Sequence, residues 1–261
     1  MLAFLRRDFR ILQSYRLAFM LDTFYGVLQL AVFFFISRAF PQIAASGDLG
    51  GAPTYFAFAA IGTILGLVVE AASDGLGQRV RDEQLTGTLE ALVAEPLSSW
   101  RLCAGFSAFP LAFALVRATV YLGLAIALMG LDTGEASWAG VLIMLLCAGV
   151  AMAALGVAAG AVVLVFQRGA VLASTALFAM TLISGTVFPV SALPNWLQAV
   201  AAVVPLRYAI DGTRDALFQG GGWGPDALAL VAFAAVALPL TVGTFALALN
   251  FAKARGSLGQ Y

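Results

Sequence analysis

Six stretches of this chain stay apolar for longer than a water-soluble fold can use. They lie near residues 17–38, 54–73, 102–130, 138–166, 170–188 and 226–250. Each reaches about the 20 residues with which an α-helix crosses the hydrocarbon of a bilayer. A segment in lipid has no water to satisfy its backbone N–H and C=O groups, so such runs are expected as helices. Composition agrees. The chain is 62% hydrophobic and 11% charged, where soluble domains carry roughly 25% charged residues. Its mean hydropathy is +0.96, so it lacks the polar surface to coat a globule. The expectation is an all-α membrane protein of six transmembrane helices, a single transmembrane domain over residues 1–261.

Several function classes fall away at once. Fourteen basic residues balance fourteen acidic ones, leaving no basic footprint for nucleic acid. With no histidine, His-based triads, His zinc sites and haem ligation are excluded. Cys103 and Cys147 sit in apolar runs with no paired metal or redox spacing and read as small apolar residues. No GxxxxGK[ST] phosphate loop occurs, so the chain is not itself expected to hydrolyse ATP.

The connections carry the polar residues. Residues 1–16 mix Leu2, Phe4, Leu5, Phe9, Ile11 and Leu12 with Arg6, Arg7, Arg10 and Arg16, which suits an amphipathic interfacial helix. A signal peptide is the rival reading, but the apolar run that follows exceeds a signal core. Residues 74–101 form the longest charged stretch. Residues 189–225 hold short apolar pieces bracketed by Pro189, Pro194 and Pro205, as in a re-entrant outer hairpin. Basic residues set the orientation. With both termini in the cytoplasm, Arg6, Arg7, Arg10, Arg16, Arg79, Arg81, Arg101, Arg168, Lys253 and Arg255 lie inside, against Arg38, Arg207 and Arg214 outside. The chain is thus expected as a multi-pass protein of the cytoplasmic membrane, with 74–101 a cytoplasmic loop.

Charges inside apolar runs are candidates for function, because a charge at the centre of a span costs about 2.5–3.5 kcal/mol or more and needs a partner or a wet cavity. Asp22, Glu70 and Arg117 qualify. Asp22 and Glu70 near the inner face can also snorkel, whereas Arg117 is mid-span and suggests a pairing or pore role. Gly62-x-x-x-Gly66 and Gly156-x-x-x-Gly160 read as close helix packing. Phe33, Phe34 and Phe35 read as an aromatic belt, or else as a gate lining. Arg207, Asp211, Arg214 and Asp215 have the spacings of three and four that allow pairing along a helix.

The cytoplasmic loop contains a short amphipathic helix. Gly87 can cap its start with Glu90 at the capping-box position. Leu89, Leu92 and Val93 share a face, and Pro96 stops the helix. That face can dock in a partner's groove or rest on the membrane surface. Gly87-Thr88-Leu89-Glu90 followed by Pro96-Leu97-Ser98 resembles the coupling-helix loop of the ABC type-2 permease family. Ser184 to Pro189, Leu193-Pro194-Asn195-Trp196-Leu197, Pro205-Leu206-Arg207-Tyr208-Ala209-Ile210-Asp211 and Arg214 resemble the family's segment between its fifth and sixth spans. The resemblance runs through nearly the whole chain in order.

The resemblance implies a transmembrane permease subunit of an ATP-driven exporter of a lipophilic or amphipathic compound such as a drug, antibiotic or lipid. It implies no cofactor in this chain, ATP and Mg in a cytosolic ABC ATPase subunit, and a second permease copy or paralogue in the surrounding membrane lipid. Gly87, Thr88, Leu89, Glu90, Leu92 and Pro96 would couple to the ATPase. Phe188, Pro189, Pro194, Trp196, Pro205, Arg207, Asp211 and Arg214 would form an outer gate. Two rivals remain: a permease for lipid-linked polysaccharide, and an ion-coupled carrier or channel built on Asp22, Glu70 and Asp74.

Overall fold

A computed structural model describes residues 16–42, 49–85, 98–166 and 169–254. The described residues form eight α-helices and no strand. They are α1 Arg16–Ala39, α2 Tyr55–Leu85, α3 Ser99–Met129, α4 Trp138–Val165, α5 Gly169–Ile183, α6 Asn195–Ala201, α7 Pro205–Arg214 and α8 Gly224–Ala254. A 3-10 turn, Val190–Ala192, precedes α6, and α7 runs on into a π turn, Asp215–Gln219. Three helices (α3, α4 and α8) are long and apolar enough to cross a membrane, and shorter apolar stretches occur at Thr23–Ala39, Tyr55–Ala71 and Gly169–Ile183.

Helix α4 is the central post. It packs against α2, α3, α5, α7 and α8. Many of its alanines and glycines, among them Ala148, Ala151, Gly156 and Gly160, are buried and let those neighbours approach closely. Met144 and Met152 fill the remaining gaps, with Leu65 of α2, Tyr121 of α3 and Leu206 of α7 in the same core. A second cluster, toward the other end, joins Leu102, Cys103 and Phe106 of α3 to Val157 and Leu164 of α4 and to Phe245 and Leu249 of α8. The outward faces are apolar as well. Val116, Leu128, Leu142, Leu146, Leu228 and Leu247 are all exposed, a pattern that is stable only if lipid covers it.

Helix ends follow local chemistry. Ser137 caps α4 by accepting from the Gly140 N–H at 3.3 Å. Gly130 ends α3 in the left-handed region, at φ 67°. Pro205 opens α7 at a position where its missing N–H costs nothing. The loops after α1, α3 and α5 and those around α7 gather at one end of the bundle. There Ser137 N–H donates to the Ala216 carbonyl at 2.8 Å, the Tyr55 hydroxyl donates to the Val187 carbonyl at 3.2 Å, and the Gln219 side chain covers Gly51.

Two extents differ from expectation. Residues 74–85, expected as loop, continue α2 without a break, giving a helix of 31 residues. At 1.5 Å per residue it is about 46 Å long, well beyond about 30 Å of hydrocarbon. Outside the lipid, the run Gln78 to Gln84 is rich in residues that sustain a helix. Helix α5 stops at Ile183, short of residue 188, because Gly185 adopts φ 85° and turns the chain.

Candidate functional site

A groove of about 430 Å³ lies between α1, α2 and α5. Tyr25, Gln29 and Phe33 line it from α1, Thr63, Gly66 and Glu70 from α2, and Phe178 and Thr181 from α5. Aromatic and aliphatic surface thus alternates with hydroxyl, amide and carboxylate groups. Glu70 is exposed and lies on the groove wall, whereas Thr63 is buried. One end of the groove is bounded by the turn Ser184–Val187. Ser184 and Thr186 hydroxyls both donate to the Thr181 carbonyl, at 2.9 and 2.7 Å, which satisfies an orphan acceptor at the end of α5. Gly62 of α2 lets the turn come in to backbone contact: a Cβ there would stand 2.6 Å from the Thr186 Cα. Gly62 and Gly66 therefore pack as their spacing suggests, though against the exit of α5.

Beyond the turn lies a second cavity, of about 400 Å³ and polar character, bounded by Arg207, Asp211, Arg214, Asp215, Gln219 and the loop Gly50–Gly51. Arg207 Nε sits 3.5 Å from the Asp211 carboxylate and Arg214 Nη1 3.6 Å from it, the pairings that the i, i+4 and i, i+3 spacings allow. Asp215 accepts from Gln219 Nε2 at 2.8 Å. Arg214 is 2% exposed, and its guanidinium lies 3.6 Å from the centroid of the Phe58 ring. Burial pushes its pKa down to about 10 against the raising effect of Asp211 and Asp215, so it remains a cation at neutral pH.

Mid-span on α3, Arg117 donates to the Tyr121 hydroxyl at 2.9 Å, and that hydroxyl donates to the Thr23 carbonyl of α1 at 3.4 Å. Arg117 thus joins a polar link between α3 and α1, away from the groove lining. Asp22 lies on α1 beside Thr23. Of the remaining candidates, one lines the second cavity and the others lie elsewhere on the same segment. Pro189 lines it, Phe188 is half-buried next to it, and Pro205 is buried at the start of α7. Pro194 stands at the start of α6, and Trp196 is 68% exposed on that helix. Gly87, Thr88, Leu89, Glu90, Leu92 and Pro96 lie outside the described residues.

Sequence reasoning missed Tyr121 and gave no separate role to Gln29, or to Thr186 within the segment Ser184 to Pro189. Only Gln29, a polar residue inside an apolar run, carried a visible signal. Tyr121 and Thr186 acquire meaning through what they touch.

The helical bundle, with three helices long and apolar enough to cross a membrane, is that of a membrane protein, and the sequence matches the ABC-2 type transporter family over residues 79–218. More than half of the chain is matched, from the end of α2 through α7, and the chain belongs to this family. It is also similar to Nodulation protein J of Sinorhizobium fredii (strain NBRC 101917 / NGR234), at 29% identity over 206 residues, covering 77% of this chain and 76% of that protein. The protein is therefore the membrane subunit of an ABC transporter. Members of this family work with a cytosolic ATPase partner.

Proposed function

We propose that this chain is the pore-forming permease of an ATP-driven exporter that moves a lipophilic or amphipathic compound across the cytoplasmic membrane. In this reading all six apolar stretches span the bilayer, with the end that carries Arg16, Arg101 and Lys253 in the cytosol. The extension of α2 projects about 16 Å past the lipid on that side. It carries the loop with Gly87, Thr88, Leu89, Glu90, Leu92 and Pro96 toward the ATPase, whose closure that loop transmits. The ATPase supplies ATP and Mg; this chain supplies the path.

The observation that carries the reading is the groove between α1, α2 and α5. Its alternation of aromatic surface with Gln29, Thr63 and Thr181 suits a molecule with one apolar and one polar end. A volume near 430 Å³ holds a compound of drug or lipid-headgroup size, whereas a long glycan needs a continuous channel. Gln29 orients the polar end, and Tyr25, Phe33 and Phe178 hold the apolar part.

Proteoliposomes containing the chain and its ATPase test this. ATP is expected to drive accumulation of an amphipathic fluorophore, and Gln29→Leu with Thr181→Val is expected to weaken its apparent affinity roughly ten-fold, the size of one or two lost hydrogen bonds. Equal transport by wild type and double variant, over a range of amphipathic probes, would place the substrate elsewhere. Transport that runs without ATP and collapses with the proton gradient would return the ion-coupled carrier.

A further inference from the structure

The groove and the outer cavity share no lining residue, and the turn Ser184–Val187 contributes to the walls of both. Thr186 and Val187 face the groove, while Gly185 and Pro189 face the outer cavity. Besides the backbone contact of Thr186 with Gly62, one charged side chain bridges this partition to α2. Nη2 of Arg214 donates to the Gly185 carbonyl at 2.8 Å and to the Phe58 carbonyl of α2 at 2.7 Å, while the guanidinium stacks on the Phe58 ring. Phe58 stands one helical turn outward of Gly62, where the turn meets the backbone of α2. A lesser tie runs from the Tyr55 hydroxyl to the Val187 carbonyl at 3.2 Å.

We propose that Arg214 is the latch of this partition: it holds the Ser184–Val187 turn shut on α2, and its withdrawal opens the groove into the outer cavity. The proposal rests on the groove being the path of the transported compound. Arg214 is a positioning residue in it, acting through the turn.

The construction suits a latch better than a core pin. Both acceptors are backbone carbonyls, one on each side of the seam, so a single movement of the guanidinium frees both. Asp211 already pairs with Nη1 at 3.6 Å and keeps hold of the cation when it lets go of the seam. Helix α7 does not depend on Arg214 for its own place. Ser137 N–H binds the Ala216 carbonyl, the Met144 side chain fills the space beside Gly212, and Leu206 and Ile210 are fully buried. The turn, by contrast, has Gly185 in the left-handed region, where it can swing without a side chain to clear.

The test is made in intact cells expressing the full chain with its ATPase, in a background with Cys103→Ala and Cys147→Ser. A reporter Leu182→Cys sits on the groove wall, and a membrane-impermeant maleimide is added outside. With Arg214 in place, labelling is expected to be slow. Arg214→Gln is expected to speed it about ten-fold, since losing hydrogen bonds to a charged group shifts an open-to-closed ratio by that order. Arg214→Lys, which keeps a cation with three donors but loses the stacked guanidinium, is expected to slow labelling part of the way back, a partial rescue that general loosening would not give.

Tyr55→Phe serves as the second variant should Arg214→Gln not fold. It cuts the lesser tie and is expected to speed labelling by a smaller factor of about two to five, in line with one neutral hydrogen bond. Unchanged labelling in a folded Arg214→Gln protein, or in Tyr55→Phe if Gln does not fold, overturns the latch. ATP-driven transport in the same cells is read separately. If wild type transports but labelling never responds, only the latch fails. If labelling responds but no ATP-driven transport occurs, the partition stands and the exporter reading fails.

Discussion

The ring of Tyr121 on α3 lies directly over Gly26 on α1, in the space a side chain there would need: a Cβ at Gly26 would stand 3.0 Å from the ring Cε2 and closer still to the hydroxyl end. Tyr121 is fully buried, and its hydroxyl accepts a hydrogen bond from Arg117 while donating its own to the Thr23 carbonyl. An intramembrane cation is thereby tied to the neighbouring helix through one phenol. Gly26→Val is expected to push the two helices apart and to cost about 1–3 kcal/mol, as overpacking does. A lowered melting temperature of the purified protein in nanodiscs checks it.

Removing only the phenol oxygen isolates the polar part of the same contact. Tyr121→Phe keeps the packing but takes from Arg117 an acceptor in a low-dielectric setting, at an expected cost of about 1–3 kcal/mol. Arg117→Ala in the Tyr121→Phe background is then expected to cost less than Arg117→Ala alone. A double-mutant cycle on thermal stability reads that coupling, and strict additivity would mean that Arg117 and Tyr121 do not act together.

The way these residues came to light says how far a single sequence reaches. The lengths of the apolar runs already indicated helices, and the three longest, 102–130, 138–166 and 226–250, correspond to α3, α4 and α8 with shifts of a few residues at their ends. Gly, Pro and Arg spacing in 189–225 indicated short helices and ion pairs on Asp211. Periodicity could not reveal that α2 runs on to Leu85, since a hydropathy pattern ends where lipid ends and a helix need not. Nor could it reveal the burial of Arg214. An arginine in a polar segment reads as exposed, and its 2% exposure arises from carbonyls of Phe58 and Gly185, 156 and 29 residues away. Gly62 was legible as a packing glycine, but its partner, the backbone of Thr186, was not.

Gly62 offers a separate prediction. With α2 and the Ser184–Val187 turn in backbone contact there, Gly62→Leu is expected to displace the turn outward, destabilising the protein by about 1–3 kcal/mol. Gly66→Ala, where a Cβ would meet the Thr181 and Thr186 methyl groups only at 3.5 and 3.9 Å, is expected to be nearly neutral. Side-by-side melting curves of the two variants check the contrast.

The pH response of Arg214 follows from its pKa of about 10 in the fold, lowered by burial from the usual guanidinium range. A base with a lowered folded pKa releases its proton first in the folded state, so stability rises with pH only above about 10 and is flat below. The difference in melting temperature between wild type and Arg214→Gln is therefore expected to stay constant from about pH 6.5 to 9, where Arg214 is charged in both states. A gap that changes steadily over that range would mean that Arg214 titrates there.

The central claim is that this membrane subunit moves its substrate with energy from a separate ATPase, coupled through the loop that holds Glu90 and Leu92. The most direct measurement purifies the tagged chain from native membranes, identifies what co-purifies, and assays ATP-driven transport beside a Glu90→Ala, Leu92→Ala variant. An ATPase with a phosphate-binding loop is expected to accompany wild type and to support transport. The double variant is expected to insert normally while losing the ATPase and the transport. Transport by the chain alone, without ATP and at the expense of an ion gradient, would contradict the account.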